Sequence, residues 1–189
     1  FAALLARPLA ALGAAVWVLR RDDLYAPGLS SLGFPAQKLI FVRAADDDEV
    51  MAAVEDAARS PGVSVVVGET DSIGLVAGRR LQLACATHGT TALLIERRPF
   101  GGKANPRDIA SPSTRWRITA ELSQPDIEGL GLGLGAPRWR VALERCRGGR
   151  PGEWIIEMKE EDHGPYPLRV VAELADHRMA APDPVAAAG

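Results

Sequence analysis

Residues 60–69 read SPGVSVVVGE, and this stretch decides the fold. A Pro-Gly pair ends the segment before it, and the run Val63–Val67 is apolar without alternation. Such a run predicts a strand of a parallel sheet that is buried on both faces. Gly68 and Glu69 follow, so the strand delivers an acidic side chain to the carboxyl edge of that sheet.

An acid in this place has a known use, because in nucleoside-triphosphate hydrolases it helps to hold Mg²⁺. Those enzymes also need a phosphate loop of the pattern G-x-x-x-x-G-K-[ST], and none occurs in the 189 residues. The chain therefore has the strand pattern of a nucleoside-triphosphate hydrolase without its phosphate loop. This combination favours a binding or scaffolding role over turnover.

Helices and strands alternate on both sides of this stretch. Apolar residues repeat at helical spacing between short apolar runs, with Gly or Pro at the junctions. The alternation predicts an α/β fold with a mostly parallel central sheet covered by helices. The predicted helices are 1–12, a short one ending at Gly33, 46–59 and 75–88, and the predicted strands are 14–19, 39–42, 63–67 and 90–95.

The pattern changes after residue 96. A basic loop at 96–113 is followed by strands predicted at 114–120, 138–145 and 154–158, which form an antiparallel C-terminal hairpin extension. Arginines alternate with apolar residues along the first two of these strands. If the two strands pair in register, one face of the sheet carries four arginines. That face could bind nucleic acid, bind an acidic protein or be solvated, and these alternatives stay open; the arginines are Arg115, Arg117, Arg138 and Arg140.

Composition narrows the class of protein. Hydrophobic residues make up 47% of the chain, which is ample for a core. No run of about 18 apolar residues occurs, so no membrane partner is predicted. The net charge of −2 is uneven, because residues 79–150 hold 13 Lys and Arg against 6 Asp and Glu. Two cysteines without metal-ligand spacing indicate reduced thiols, no metal site and a cytoplasmic location.

Longer stretches of the chain resemble a known family. DDLYAPGLSSLGF, LIFVRA, EVMAAVEDAARS, VSVVVGE and RRLQLACATHGTTALLI together resemble the central part of the RecA fold. WVLRRDDLYAPGL and PRWRVALERCRGGRPGEW resemble the ImuA family, the RecA-like accessory proteins of bacterial damage-induced mutagenesis. The resemblance covers residues 1–158. The core is also similar to the SulA cell-division inhibitors, which lack the Arg-rich hairpin.

The ImuA resemblance implies a non-catalytic accessory factor of translesion synthesis in the SOS response. Its implied partners are an ImuB-like inactive Y-family polymerase, an error-prone C-family polymerase assembly, RecA and DNA. Two alternatives remain. One is a SulA-type inhibitor that binds a tubulin-like GTPase, and the other is a DNA-binding ATPase truncated before its phosphate loop.

Comparison with RecA also implies what has become of a nucleotide site. The phosphate loop would lie before Phe1, and no glutamate follows the strand 14–19 to serve as a catalytic carboxylate. Glu69 takes the place of an Mg²⁺-associated aspartate, and Tyr25 matches a tyrosine that stacks on the nucleotide. We therefore expect no catalytic residue and no cofactor, with ATP and Mg²⁺ at a vestigial site as the alternative.

The RecA resemblance places a DNA-binding loop directly after residue 96. Cationic side chains there would neutralise phosphates without reading bases. Because the resemblance covers residues 1–158, we expect these residues to form the core domain and 159–189 to form a partly disordered extension. The cationic residues of the loop are Arg97, Arg98, Lys103 and Arg107.

Overall fold

The structure is a computed structural model that describes residues 1–96, 112–124, 135–158 and 168–174. The chain forms two compact units, which divide between Pro112 and Ser113. In the first unit helices and strands alternate: α1 (Ala2–Ala10), β1 (Ala14–Leu19), α2 (Ala26–Ser31), a short 3-10 helix (Ala36–Lys38), β2 (Leu39–Arg43), α3 (Asp47–Arg59), β3 (Val63–Thr70), α4 (Leu75–His88) and β4 (Thr91–Glu96).

The four strands of the first unit form one parallel sheet in the order β2-β1-β3-β4. β1 and β3 lie in the middle and are apolar on both faces, as the opening stretch predicts. One face carries Trp17 and Val67 and packs against α1 and α2, and the other carries Val18 and Val66 and packs against α3 and α4. The core is thus two apolar layers, one on each side of the sheet.

Gly68 lets α3 pack closely on β3. A Cβ at this position would lie 2.6 Å from Val54 Cγ2 and 3.0 Å from Leu94 Cδ2. Both distances are shorter than ordinary van der Waals contact, so a larger residue would force the helix away from the sheet. The glycine that ends the opening apolar run is therefore a packing requirement.

The second unit is a four-stranded antiparallel sheet in the order β5-β6-β7-β8. A bulge interrupts the pairing of β5 with β6 between Arg115 and Trp116. One face carries tryptophans, with the rings of Trp116 and Trp154 centred 6.2 Å apart. The strands are β5 (Thr114–Glu121), β6 (Arg138–Cys146), β7 (Gly152–Met158) and β8 (Leu168–Leu174).

These observations confirm the predicted class, a parallel sheet covered by helices with an antiparallel extension. The extension forms a sheet of its own, and the predicted core domain 1–158 contains residues of both units. Segment 168–174, which lies within the predicted C-terminal extension 159–189, is a strand paired with β7. Among the described residues, no helix has the length and apolar character needed to cross a membrane.

Candidate functional site

The carboxyl edge of the parallel sheet has the geometry of a ligand crevice. After β1 the chain turns toward β2 on one side, and after β3 it turns toward β4 on the other. In open α/β sheets, the crevice between two such diverging loops is the usual place for a ligand. The residues that meet there come from the segments after β1 and β3 and from the start of α3.

Arg20 bridges this crevice. Its Nη1 lies 2.7 Å from Asp47 Oδ1 on α3 and 2.7 Å from Asp71 Oδ2 after β3. Arg21 Nη2 lies 3.6 Å from the other oxygen of Asp71. The position after β1, where the RecA resemblance would place a catalytic carboxylate, is therefore held by a cation that the protein's own acids neutralise.

Asp47 joins the two loops through further hydrogen bonds. Its Oδ1 accepts from the backbone N–H of Asp71 at 3.1 Å. Its Oδ2 accepts from the backbone N–H and the hydroxyl of Ser72, at 3.0 and 3.1 Å. Asp46 beside it caps α3 by accepting from the N–H of Glu49 at 2.9 Å. The acids at 46–49 suit the positive end of the helix, and Asp47 in addition holds the loop after β3 in place.

The charges in this network stabilise one another. Burial would raise the pKa of Asp47, but the N–H of Asp71, the hydroxyls of Thr70 and Ser72 and the nearby Arg20 outweigh burial and lower that pKa. For Arg20, burial opposes the charged form, yet Asp47 and Asp71 raise its pKa. The crevice is thus filled by charges that are already matched within the chain.

The two residues predicted for a vestigial nucleotide site differ in environment. Glu69 is 5% exposed, and its Oε1 accepts a hydrogen bond of 2.9 Å from the indole Nε1 of Trp17. Tyr25 precedes α2 and is 74% exposed. One carboxylate oxygen of Glu69 therefore serves a core tryptophan. At the rim of the crevice, Asp71 and Asp47 contact arginine side chains.

The arginines of the antiparallel sheet are interleaved with glutamates. Arg117, Arg138 and Arg140 share one face, because Arg117 lies opposite Ala142 and Arg138 opposite Glu121. Arg115 lies beyond the bulge, opposite Arg145. The structure thus places three of the four predicted arginines on one face of the sheet.

Each of these three arginines contacts a carboxylate. Arg117 Nε lies 3.0 Å from a Glu144 oxygen. Arg140 lies 3.0 Å from Glu121 and 3.2 Å from Glu153. Arg138 pairs with Glu157, as does Arg169 of β8. The face is consequently a ladder of ion pairs.

Glu157 is the most buried acid of this ladder, at 5% exposed. Burial would raise its pKa, but Arg169 and Arg138 lower it below the ordinary value for a glutamate. A cavity of about 540 Å³ lies against the same face, with Arg138, Arg140 and Ile155 in its lining. Its cationic groups already have partners, so the cavity does not present unmatched positive charge.

The chain is 52% identical to Protein ImuA in two strains of Caulobacter vibrioides, over 89% of this chain and 70% of that protein. The chain belongs to the ImuA family. Membership supports a role in damage-induced mutagenesis, the process that the resemblance implies.

Other comparisons add less to the assignment of this ImuA family member. No family model matches the chain. SulA from Pseudomonas aeruginosa is similar in structure, at 19% identity and a TM-score of 0.45, over 49% of this chain and 81% of SulA. A likeness at this level does not bear on function.

The remaining predicted residues, Arg97, Arg98, Lys103 and Arg107, lie outside the described residues. Within the described ranges, no group of three or more His, Cys, Asp and Glu side chains could hold a metal ion. Sequence reasoning missed the network of Arg20, Asp47 and Asp71 in this ImuA family member. A signal was present, since each of the three lies next to the carboxyl end of a strand or the start of a helix.

Proposed function

We propose that the chain is a non-catalytic accessory factor of translesion synthesis in the SOS response, which works through contacts with other proteins. It links an ImuB-like inactive Y-family polymerase and an error-prone C-family polymerase to RecA and DNA in the cytoplasm. The observation that supports this role most directly is the Arg20 bridge between Asp47 and Asp71. Membership in the ImuA family supports a role in damage-induced mutagenesis. The Arg20 bridge supports the absence of ATP turnover.

The chemistry of the crevice supports this interpretation. Attack of water on a phosphoryl group needs a carboxylate or amide that orients the water, and Mg²⁺ needs accessible oxygen ligands. After β1 the chain offers the guanidinium of Arg20, which cannot accept a proton from water. After β3 the carboxylate of Asp71 is paired with two arginines. These residues do not fit a Mg²⁺-nucleotide, so the proposal includes no step through one.

ATP turnover tests this proposal. The purified full-length protein is assayed for phosphate release with and without single-stranded DNA. We expect rates equal to those of the buffer in both cases. Stimulation by single strands would instead favour an ATPase that carries a phosphate loop before Phe1. Arg20→Glu serves as the comparison variant, because it places a carboxylate directly after β1 without supplying a phosphate loop, and it should also be inactive.

DNA contact forms a separate arm of the proposal. We assign phosphate contacts to the basic segment after residue 96 and not to the arginine ladder, because each ladder arginine already contacts a glutamate. Arg97→Ala with Arg98→Ala and Lys103→Ala should weaken binding to single strands and flatten its dependence on salt. A matched variant with Arg138→Ala and Arg140→Ala should leave the salt dependence unchanged. The opposite ranking in fluorescence anisotropy would move the DNA surface to the sheet.

A further inference from the structure

Helix α4 carries apolar residues on both of its sides. Its inner side packs into the core through Leu81 and Ala84, which are 4% and 5% exposed. Its outer side carries Leu75, Val76 and Leu83, which are 62%, 74% and 53% exposed. A surface helix ordinarily presents polar and charged residues to solvent. The outer side of α4 therefore exposes more apolar side chain than a solvent-facing helix ordinarily does.

We propose that this outer side, the α4 surface formed by Leu75, Val76, Arg79 and Leu83, docks an amphipathic helix of a partner protein. Helix is favoured over strand because the backbone groups of α4 are bonded within the helix, so only side chains are available for contact. From Leu75 to Leu83 the surface extends about 12 Å, which matches roughly two turns of a partner helix. Apolar residues of the partner at helical spacing would cover the three exposed side chains.

The charged residues of α4 indicate which side chains the partner helix carries. Arg79 lies on the α4 surface and donates a hydrogen bond of 2.9 Å from Nη1 to the side chain of Gln82. Among the described residues no carboxylate pairs with Arg79, whereas its neighbour Arg80 is paired with Glu55. The sequence of α4, LVAGRRLQLACATH, contains no acid. A docking helix with a carboxylate opposite Arg79 would complete the charge pattern.

The same charge pattern disfavours a second copy of this chain as the occupant. Two α4 helices packed against each other would bring arginines together with no acid between them. Nucleic acid is disfavoured as well, because three of the four members of the α4 surface are apolar and only one can neutralise a phosphate. An acid-bearing amphipathic helix of another protein is the occupant that satisfies both the apolar and the cationic members.

This inference rests on the proposed accessory function, and binding to the partners of that function tests it. The full chain is titrated with the purified ImuB-like protein, the error-prone polymerase and RecA of the same genome by biolayer interferometry. Val76→Glu with Leu83→Glu should weaken binding to one of the three by about tenfold or more. Val76→Ser with Leu83→Ser keeps the test valid if the glutamates impair folding. Leu12→Glu, at an 80% exposed leucine outside α4, is the matched control and should bind as the unaltered chain does.

The charge contact has its own test. Arg79→Glu should weaken the same complex by about fivefold to tenfold, and exchanging the partner's acid for Lys should restore it. If the unaltered chain binds a partner and the α4 variants bind equally well, the α4 surface is wrong and the accessory function stands. If the unaltered chain binds none of the three, both proposals are overturned. Sedimentation showing a dimer that Leu83→Glu dissociates, or DNA binding lost in Arg79→Glu, would also overturn the proposed occupant.

Discussion

Replacing Asp47 with Asn should uncouple the loops at the carboxyl edge of the parallel sheet. The aspartate accepts three hydrogen bonds from Asp71 and Ser72 and pairs with Arg20 at 2.7 Å. An asparagine offers one acceptor oxygen in place of two. Asp47→Asn therefore leaves a backbone N–H of Asp71 or Ser72 without its acceptor and removes the charge that faces Arg20.

The size of the effect follows from these contacts. One lost hydrogen bond to a charged group costs about 1.5 kcal/mol, and a partly exposed ion pair adds about 0.5 kcal/mol. The free energy of unfolding of the first unit should therefore fall by about 2 kcal/mol. With a urea dependence of about 2 kcal/mol per molar, the midpoint of unfolding moves down by about 1 M. Hydrogen exchange in peptides from β1 and β3 assigns the change to this unit.

Asp48→Asn is the matched control. Asp48 lies in the same first turn of α3 and is exposed, so its replacement removes a charge near the same helix end. Its cost should stay below about 0.5 kcal/mol. Equal midpoints for the two variants at neutral pH would refute the reasoning, because the effect would then be due to charge at the helix end alone.

The pH dependence of this difference follows from the sign of the pKa shift. The folded pKa of Asp47 lies below its ordinary value of 3.8. A carboxylate with a lowered pKa stabilises the folded state above the ordinary value, and the contribution is lost as the pH falls through the folded pKa. The stability difference between the unaltered chain and Asp47→Asn should be constant from pH 7 to pH 5 and should shrink below about pH 4.

Three further substitutions test the packing and the buried charges by urea or thermal unfolding. Gly68→Ala should cost about 1–3 kcal/mol, because its Cβ would lie 2.6 Å from Val54; an unchanged midpoint would contradict the close packing of α3. Trp17→Phe should lower the free energy of unfolding by about 1–2 kcal/mol, since it removes the indole N–H that donates to buried Glu69. An equal loss in the double variant Trp17→Phe with Glu69→Leu would show that only the change in side-chain volume matters. Glu157→Gln should destabilise the second unit by about 2–3 kcal/mol at neutral pH, because two arginines lose a buried carboxylate, and no loss would mean that the pair contributes nothing.

Local patterns predicted most of the fold. The strand 14–19 and the helix 75–88 have the predicted bounds, because an apolar run and a helical repeat each report burial of neighbouring residues. β8 was less visible, since its residues are mostly exposed and the strand is stabilised by pairing with β7. The separation of the two sheets was not predicted, because no local pattern tells which strand edge a later strand will join.

Sequence spacing indicates which charged residues lie at the carboxyl edge, but it does not predict which of them pair. Arg20 contacts Asp47 and Asp71, which lie 27 and 51 positions away along the chain. Trp17 reaches Glu69 across 52 positions. These contacts exist because β1 and β3 are neighbours in the sheet. A buried tryptophan requires an acceptor for its N–H, so residue type alone suggests that Trp17 has a polar partner.

The arginine ladder shows why charge along the chain differs from charge on the surface. Residues 79–150 carry a positive excess in the sequence, which suggested a basic face. Two glutamates of the ladder, Glu153 and Glu157, lie after this segment, and antiparallel pairing brings them back against Arg140 and Arg138. The positive charges of Arg138 and Arg140 are therefore neutralised within the sheet. Any positive charge that contacts a partner must come from residues outside the ladder. Arg79 of α4 and the cationic residues after position 96 are therefore the first positions to mutate.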